Sequence, residues 1–250
     1  MKNQDNYTFF GARKVAQSVK TQLVDSLFSG VAGNYDLMND LMSGGIHRLW
    51  KDDFCKLLDN PNAKLLDVAG GTCDITKRFF KFSKRSGSNP DITVFDLNID
   101  MLSLGADKLT NEAILGVNFV NGSAENLPFA DETFDYYTVS FGIRNFTDIM
   151  AALKEAKRVL KKGGKFLCLE FSKPENMILN KMYDVYSKFV IPNLGSAFGD
   201  REAYEYLVES IKKFPSQDEF AKMIKESGFL DVAYRNLSGG IVAIHTGYKK

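Results

Sequence analysis

Leu65-Leu66-Asp67-Val68-Ala69-Gly70-Gly71-Thr72-Cys73-Asp74 begins as a short apolar run and breaks into two glycines. Residues Ile75–Phe82 then read as a helix. A buried parallel strand that runs into a glycine turn and a helix is how doubly wound α/β proteins present backbone to a cofactor. The glycines let the chain turn sharply and let a ligand approach without meeting a Cβ. The stretch lacks the Gly-x-Gly-x-x-Gly spacing and the Gly-Lys-Ser/Thr ending of a phosphate loop. A cofactor without a pyrophosphate is favoured, and S-adenosylmethionine (SAM) is the common one. The alternative is a tight strand–helix turn with no ligand.

Working outward, Lys64–Val68 is the first strand and Ile92–Phe95 the second, ending at Asp96. Asp96 lies 26 positions beyond Gly70, near where a βαβ unit places a carboxylate on a ribose. A carboxylate can accept hydrogen bonds from both ribose hydroxyls. The competing reading makes Asp96 a helix cap, and Asn98 and Asp100 cap equally well. A helix over Ile99–Thr110 leads to a strand at Val117–Val120 and a polar loop from Asn121 to Phe129, where Ser123 suits an adenine edge. The strand Phe134–Val139 delivers Ser140-Phe141-Gly142-Ile143-Arg144-Asn145, which sets Arg144 and Asn145 at the crevice where α/β ligands bind. A helix over Thr147–Leu160 is expected to stop at Lys161-Lys162-Gly163-Gly164, a basic last turn with a glycine cap. The strand Lys165–Glu170 follows. The alternation predicts a twisted, mainly parallel sheet with helices on both faces.

Residues 9–60 read as helical, with Val15, Val19, Leu23, Leu27 and Phe28 at helical spacing and a later helix over Ile46–Leu58. They form an expected cap on the core at 64–174. The rhythm breaks over 175–214, an insertion that reads as a substrate lid. Its aromatic residues Tyr183, Tyr186, Phe189, Phe198 and Tyr204 either line a channel or pack the lid on the sheet. Ser216-Gln217-Asp218-Glu219 is a capping box. Strands near Val232–Asn236 and Ile241–Tyr248 complete the 215–250 segment and a single domain.

Composition narrows the partners. The 250 residues carry a net charge of +1, with 44% hydrophobic and 25% charged residues. No strong field points to nucleic acid. Cys55, Cys73 and Cys168 are not at metal-ligand spacing, so neither a metal nor a disulfide framework is expected. No apolar run approaches the ~20 residues of a membrane span. The cytoplasm is the expected compartment. The N-terminal basic residues keep a mitochondrial address as the lesser alternative.

Several stretches together resemble the ubiquinone/menaquinone biosynthesis C-methyltransferases, a branch of the class I SAM-dependent enzymes. They are Tyr-Asp-Leu-Met-Asn-Asp-Leu-Met-Ser-Gly-Gly-Ile-His-Arg-Leu-Trp-Lys at 35–51, Leu-Leu-Asp-Val-Ala-Gly-Gly-Thr at 65–72, Ser-Phe-Gly-Ile-Arg-Asn at 140–145 and Leu-Glu-Phe-Ser-Lys-Pro at 169–174. The resemblance implies a Rossmann-like, seven-stranded sheet with its last strand antiparallel. It implies SAM contacts at Thr72, Asp96, Ser123, Ala124 and Ser140, beside Gly70 and Asp67 of the loop. It implies methyl transfer to a ring carbon of a polyprenyl hydroquinone, either a 2-methoxy-6-polyprenyl-1,4-benzoquinol or a demethylmenaquinol. The family motif usually has Gly where this chain has Cys73. A cysteine there is strained if the site takes a positive φ, and tolerated if it needs only a small residue.

Methyl transfer from a sulfonium is an in-line displacement, so the protein must align nucleophile and methyl and exclude water. A hydroquinone carbon becomes nucleophilic when the neighbouring hydroxyl loses its proton. A base, or a cation that stabilises the phenolate, is therefore expected. Arg144 is the first choice, against a plain ion pair to Asp148 one turn on. Asn145 suits the other ring oxygen. Tyr35 and Asn39 share a helix face and would close over SAM or the ring. His47 is either the base or a structural hydrogen-bond donor. Asp67 either orders the glycine loop or borders the cofactor, and Glu170 either orders its strand or meets substrate. A SAM enzyme acting on another phenolic or lipid acceptor and a non-catalytic member of a quinone-synthesis assembly stay open as alternatives. So do a homodimer and peripheral contact at the inner face of a membrane.

Overall fold

The structure, a computed structural model, describes residues 7–11, 13–34, 39–40, 43–174 and 201–250. The stretch quoted above supplies β3 (Lys64–Val68), a glycine turn and α3 (Asp74–Arg85). Around it the described residues form β1 (Tyr7–Phe10), β2 (Arg13–Ala16), α1 (Gln17–Val31), α2 (His47–Cys55), β4 (Asp91–Asp96), α4 (Ile99–Asn111), β5 (Asn118–Asn121) and β6 (Phe134–Ser140). They continue with α5 (Ile149–Val159), β7 (Leu160–Phe171), α6 (Arg201–Lys213), α7 (Gln217–Glu226), β8 (Leu230–Leu237) and β9 (Val242–Tyr248).

The main sheet has seven strands in the order β5-β4-β3-β6-β7-β9-β8. β3 pairs in parallel with β4 and β6, so Val68 lies between Phe95 and Val139. β9 runs antiparallel between β7 and β8, as the resemblance implied. Side-chain alternation feeds two cores. Leu65, Leu167 and Leu169 face Trp50, Phe54 and Phe79 on one side. Leu66, Val68, Phe166 and Cys168 face Leu153, Ala156 and Phe220 on the other. Each such fully buried apolar side chain contributes about 1.5–3 kcal/mol.

Two expectations need correction. The segment before the first core strand is not all helical: it opens with a hairpin, β1 against β2, whose turn holds Gly11 at φ +54°. Phe10 buries its ring against Tyr206, with centroids 4.4 Å apart. The helix expected over Thr147–Leu160 ends at Val159, and Leu160–Gly164 is already strand. That backbone is claimed by the C-terminal tail, through Gly163 N to Lys249 O at 2.6 Å and Lys249 N to Gly164 O at 3.0 Å. Of the lid at 175–214, residues 201–213 form α6, with Tyr204, Leu207, Val208 and Ile211 in the core. Tyr183, Tyr186, Phe189 and Phe198 lie outside the described residues, as does Tyr35.

The glycine turn is packed to contact. A Cβ on Gly70 would stand 2.8 Å from Val94 Cγ1 and 2.9 Å from Asp67 O. Cys73 occupies the left-handed region at φ +65°. A cysteine there costs about 1–2 kcal/mol relative to glycine. Its side chain is fully buried with Val94, Leu102, Leu109 and Ile114, behind the turn and away from its open side. Gly105, in the interior of α4, admits this arrangement: a Cβ there would meet Gly71 O at 2.2 Å and Cys73 Sγ at 2.6 Å.

Glycine-to-alanine changes in helix interiors ordinarily stabilise by about 0.5–1 kcal/mol. Gly30→Ala in α1, with nothing within 4 Å of its Cβ, is expected to behave that way. Gly105→Ala is expected to destabilise by about 1–3 kcal/mol through overpacking. Urea unfolding of the two variants checks the opposite signs.

Candidate active site

The carboxyl ends of β3, β4 and β6 open into one cleft, covered by Thr21, Val24, Asp25 and Phe28 of α1. At its floor the ends of β3 and β6 nearly touch: a Cβ on Gly142 would lie 2.4 Å from Ala69 Cβ. Ala69 and Phe141 both take positive φ, at 51° and 56°. Local strain of this kind tends to gather at ligand sites.

Asp96 ends β4. Its Oδ2 accepts from Gly71 N at 2.9 Å and its Oδ1 from Asn98 N at 2.9 Å. Burial pushes its carboxyl up to about 6, against the pull of those backbone donors. Asn98 is the cap of α4, accepting from Met101 N at 2.8 Å. Asp96 is thereby free of capping and borders the cleft. The amide of Asn98 also holds the cover down, donating to Asp25 Oδ1 at 2.7 Å and Ser29 Oγ at 2.8 Å.

Beside β5, Ser123 and Ala124 line the cleft. Ser123 Oγ donates to Glu125 Oε2. Glu125 Oε1 accepts from Thr147 N at 2.7 Å, which ties this loop to the one after β6. Thr72 and Gly70 line the floor. Ser140 Oγ is buried in the cleft wall with no hydrogen-bond partner among the described residues. A buried hydroxyl with no protein partner in a cleft wall is available to a ligand. Glycines at 70 and 71 keep the floor clear. A Cβ on Gly71 would stand 3.4 Å from the Asp96 carboxylate. These residues fit a nucleoside with a vicinal diol.

Asp67 borders the cleft but its oxygens are taken. It accepts from Thr138 Oγ1 at 2.9 Å, Thr76 Oγ1 at 2.8 Å and Thr76 N at 3.2 Å. Burial raises its carboxyl to about 6, while those hydrogen bonds pull it down.

Arg144 and Asn145 diverge. Asn145 faces the cleft, with Oδ1 accepting from Tyr206 OH at 3.0 Å. Arg144 lines a second cavity of about 400 Å³, bordered by Tyr7, Phe9, Lys20, Met150, Tyr206 and Met223. Phe146 and Thr147 border both spaces. Arg144 does not pair with Asp148, which caps α5 through Ala151 N. Its Nη1 donates to Glu170 Oε1 at 2.8 Å and to Phe141 O, and the pair is almost fully buried. Burial raises the Glu170 carboxyl, with Arg144 opposing. Arg144 Nε is buried without a partner among the described residues. Lys20 donates to Phe146 O at 2.6 Å, and burial lowers its ammonium to about 8.

His47 lies outside the cleft wall. Its Nε2 meets Asp40 Oδ1 at 2.8 Å, and burial holds its pKa below the ordinary value although Asp40 opposes the shift. The residue pair that sequence reasoning missed is Lys51 and Asp74, which form an ion pair in the cleft wall. The signal was present: His47, Trp50, Lys51 and Phe54 are the buried residues of α2 and share one face.

Comparison with known proteins is consistent with this geometry. Residues 16–249 match the model of the ubiE/COQ5 methyltransferase family. A Rickettsia bellii protein named ubiquinone/menaquinone biosynthesis C-methyltransferase UbiE is 54% identical over 246 residues, covering 98% of this chain and 99% of that one. The protein of the same name from Rickettsia prowazekii is 53% identical over 244 residues, covering 97% and 98%. Among solved structures, a SAM-dependent methyltransferase from Thermotoga maritima superposes with a TM-score of 0.64 at 20% identity, covering 91% of this chain and all of that one, a likeness of fold. On the extent of the family match and the identity to these relatives, the chain belongs to the ubiE/COQ5 methyltransferase family.

Proposed function

We propose that this protein transfers the methyl group of SAM to a ring carbon of a polyprenyl hydroquinone, a 2-methoxy-6-polyprenyl-1,4-benzoquinol, a demethylmenaquinol or both. The observation that carries the reading is the uncapped Asp96 carboxylate beside a Cβ-free glycine floor, in a chain of this family. When bound, SAM supplies a methyl already activated by the sulfonium.

The chain's own residues then bind, orient and exclude water. Asp96 accepts from the ribose hydroxyls, and Ser123 and Ala124 border the adenine. Thr72 and Gly70 form the floor, and Ser140 offers its orphaned hydroxyl. Asp67 sets the loop's two ends. Because Tyr206 occupies Asn145 Oδ1, the amide of Asn145 is oriented to offer its N–H groups to a ring oxygen. Arg144, paired with Glu170 in the wall of the second cavity, directs the positive end of that ion pair's field toward an acceptor held at Asn145 and so favours its phenolate form. His47, turned to Asp40, is a positioning residue for α2 in this reading, and the acceptor's proton leaves through water.

The prenyl tail is assigned to the second cavity, whose apolar wall includes Phe9, Phe146, Met150 and Met223. Tyr7 and Phe9 at its outer edge are 62% and 50% exposed. They make β1 the face through which the protein would touch a lipid surface. No helix among the described residues is long and apolar enough to cross a membrane. The cytoplasm remains the proposed compartment, and residues 175–200 remain part of the proposed lid of a single domain.

Two outcomes follow. Arg144→Ala alone would leave Glu170 buried and unpaired, a loss of about 3–5 kcal/mol in stability. The double variant Arg144→Gln/Glu170→Gln avoids this. It is expected to keep SAM binding and lose about 100-fold or more in transfer of labelled methyl to reduced short-chain acceptors. Full activity in the double variant would remove Arg144 from the chemistry. Parent enzyme that binds SAM but methylates neither a benzoquinol nor a naphthoquinol would point to another phenolic or lipid acceptor.

The second outcome concerns pH. Asp96 is raised to about 6, and ribose hydroxyls donate more strongly to its ionised form, which offers two acceptor oxygens and no competing donor. Affinity for SAM is therefore expected to fall as pH drops through 6, and binding near pH 6 to release protons. Asp96→Asn is expected to bind weakly at pH 7 and to show a flatter profile. Calorimetry between pH 5 and 8 reads both.

A further inference from the structure

Lys51 is the one cation among the described residues lining the cleft. The other charged lining groups are the carboxylates of Asp25, Asp67, Asp74, Asp96 and Glu125. A ligand with positive groups is well served by such a wall, but SAM also carries an α-carboxylate. That group needs a cation, and the cleft contains one.

Sheet order gives the direction. On the proposed reading the loop after β5 would border the adenine and Asp96, ending β4, the ribose, while the glycine turn follows β3. The next strand along that line is β6, and just past its end Lys51 Nζ, on α2, lies 6.0 Å from the Phe141 ring centroid, with Asp74 opening α3 beside it. The Lys51 side chain is 6% exposed and that of Asp74 is 33% exposed. Burial raises the Asp74 carboxyl, but the charge of Lys51 and then Arg78 outweighs it and holds it below the ordinary value.

An ammonium has three N–H donors. Among the described residues Lys51 Nζ donates to Asp74 Oδ2 alone. Asp74 has a second cation within reach, Arg78 Nη1 at 3.8 Å from Oδ1. Lys51 can thus take an incoming carboxylate while Asp74 stays compensated. A buried ion pair gains little for the fold over apolar packing. Its position in the wall of a ligand cleft gives it another use.

We propose that Lys51 and Asp74 form the subsite for the amino-acid end of SAM, with Lys51 Nζ binding the α-carboxylate and the Asp74 carboxylate binding the α-ammonium. The assignment rests on the proposed use of SAM and deepens it.

The test uses the full chain and calorimetry with three nucleosides. S-Adenosylhomocysteine keeps the amino-acid end, decarboxylated SAM lacks the α-carboxylate, and 5′-methylthioadenosine lacks the amino-acid end entirely. Lys51→Met is expected to weaken S-adenosylhomocysteine by about 10- to 100-fold, the range for a hydrogen bond to a charged group. It is expected to leave 5′-methylthioadenosine and decarboxylated SAM within about twofold of parent, and Lys51→Arg to recover part of the loss. Asp74→Asn is expected to weaken S-adenosylhomocysteine and spare 5′-methylthioadenosine. Equal weakening of all three nucleosides by Lys51→Met would make the pair structural and overturn the proposal. Unchanged S-adenosylhomocysteine binding with lost methyl transfer would move Lys51 to the acceptor and also overturn it. A parent that binds none of the nucleosides would sink the SAM reading itself, and the subsite with it.

Discussion

A buried carboxylate holds this fold's working end in place. Asp67, 1% exposed at the end of the central strand β3, accepts from Thr138 on β6 and from Thr76 on α3. Those donors fix three elements relative to one another, and the glycine turn spans the gap between two of them. The turn therefore has little freedom. Burying a carboxylate is costly unless donors surround it. Its raised carboxyl, near 6, shows that the donors compensate burial only in part. Asp96 is in the same condition. For both acids the folded pKa lies above the unfolded one. The resulting penalty is present at neutral pH and is relieved as pH falls through 6 toward 4. Stability is being spent on a carboxylate for a ligand and on another that shapes the loop.

Steric constraints complete the arrangement. Gly71 is pressed from behind by α4, where Gly105 is the only side-chain size that fits. Its amide points to Asp96. The loop is thus clamped between a helix behind and a carboxylate beside it, and a ligand meets a preformed floor. Cys73 shows how much the geometry is imposed by its surroundings. It adopts a backbone conformation that a cysteine disfavours. Its side chain is repaid by full burial in the cluster around Leu102 and Leu109.

The core of the fold was legible because its strands are apolar runs bounded by turn residues, and each ends at a polar residue that the sheet brings to one edge. Asp96, Ser123 and Asn145 were placed by that logic and Ala124 and Ser140 by the family resemblance, and the structure gathers them in one cleft. The N-terminal hairpin was not legible. Each of its strands is four residues long, and Val15 and Val19 carry helical spacing across the boundary. Lys51 escaped notice because a lysine on an amphipathic helix usually points to water. Only its register with His47, Trp50 and Phe54 says otherwise. The partner of Arg144 could not be found locally either. Glu170 is 26 residues away and is brought near by the pairing of Ser140 with Leu169.

Adjacent residues on one short turn, Arg144 and Asn145, face different spaces. The turn at Ile143–Asn145 is a single 3-10 segment, in which successive side chains point about 120° apart. One residue can then serve the cleft while its neighbour borders the second cavity. Phe146 and Thr147 separate the two, and their positions are set by Lys20 and Thr21 of α1. The same helix holds the cover over Asp96 through Asn98. Movement of α1 would therefore alter the nucleoside site and the partition between the spaces at once. For a transfer that needs donor and acceptor aligned and water excluded, one element acting on both is a physical basis for coupling their binding.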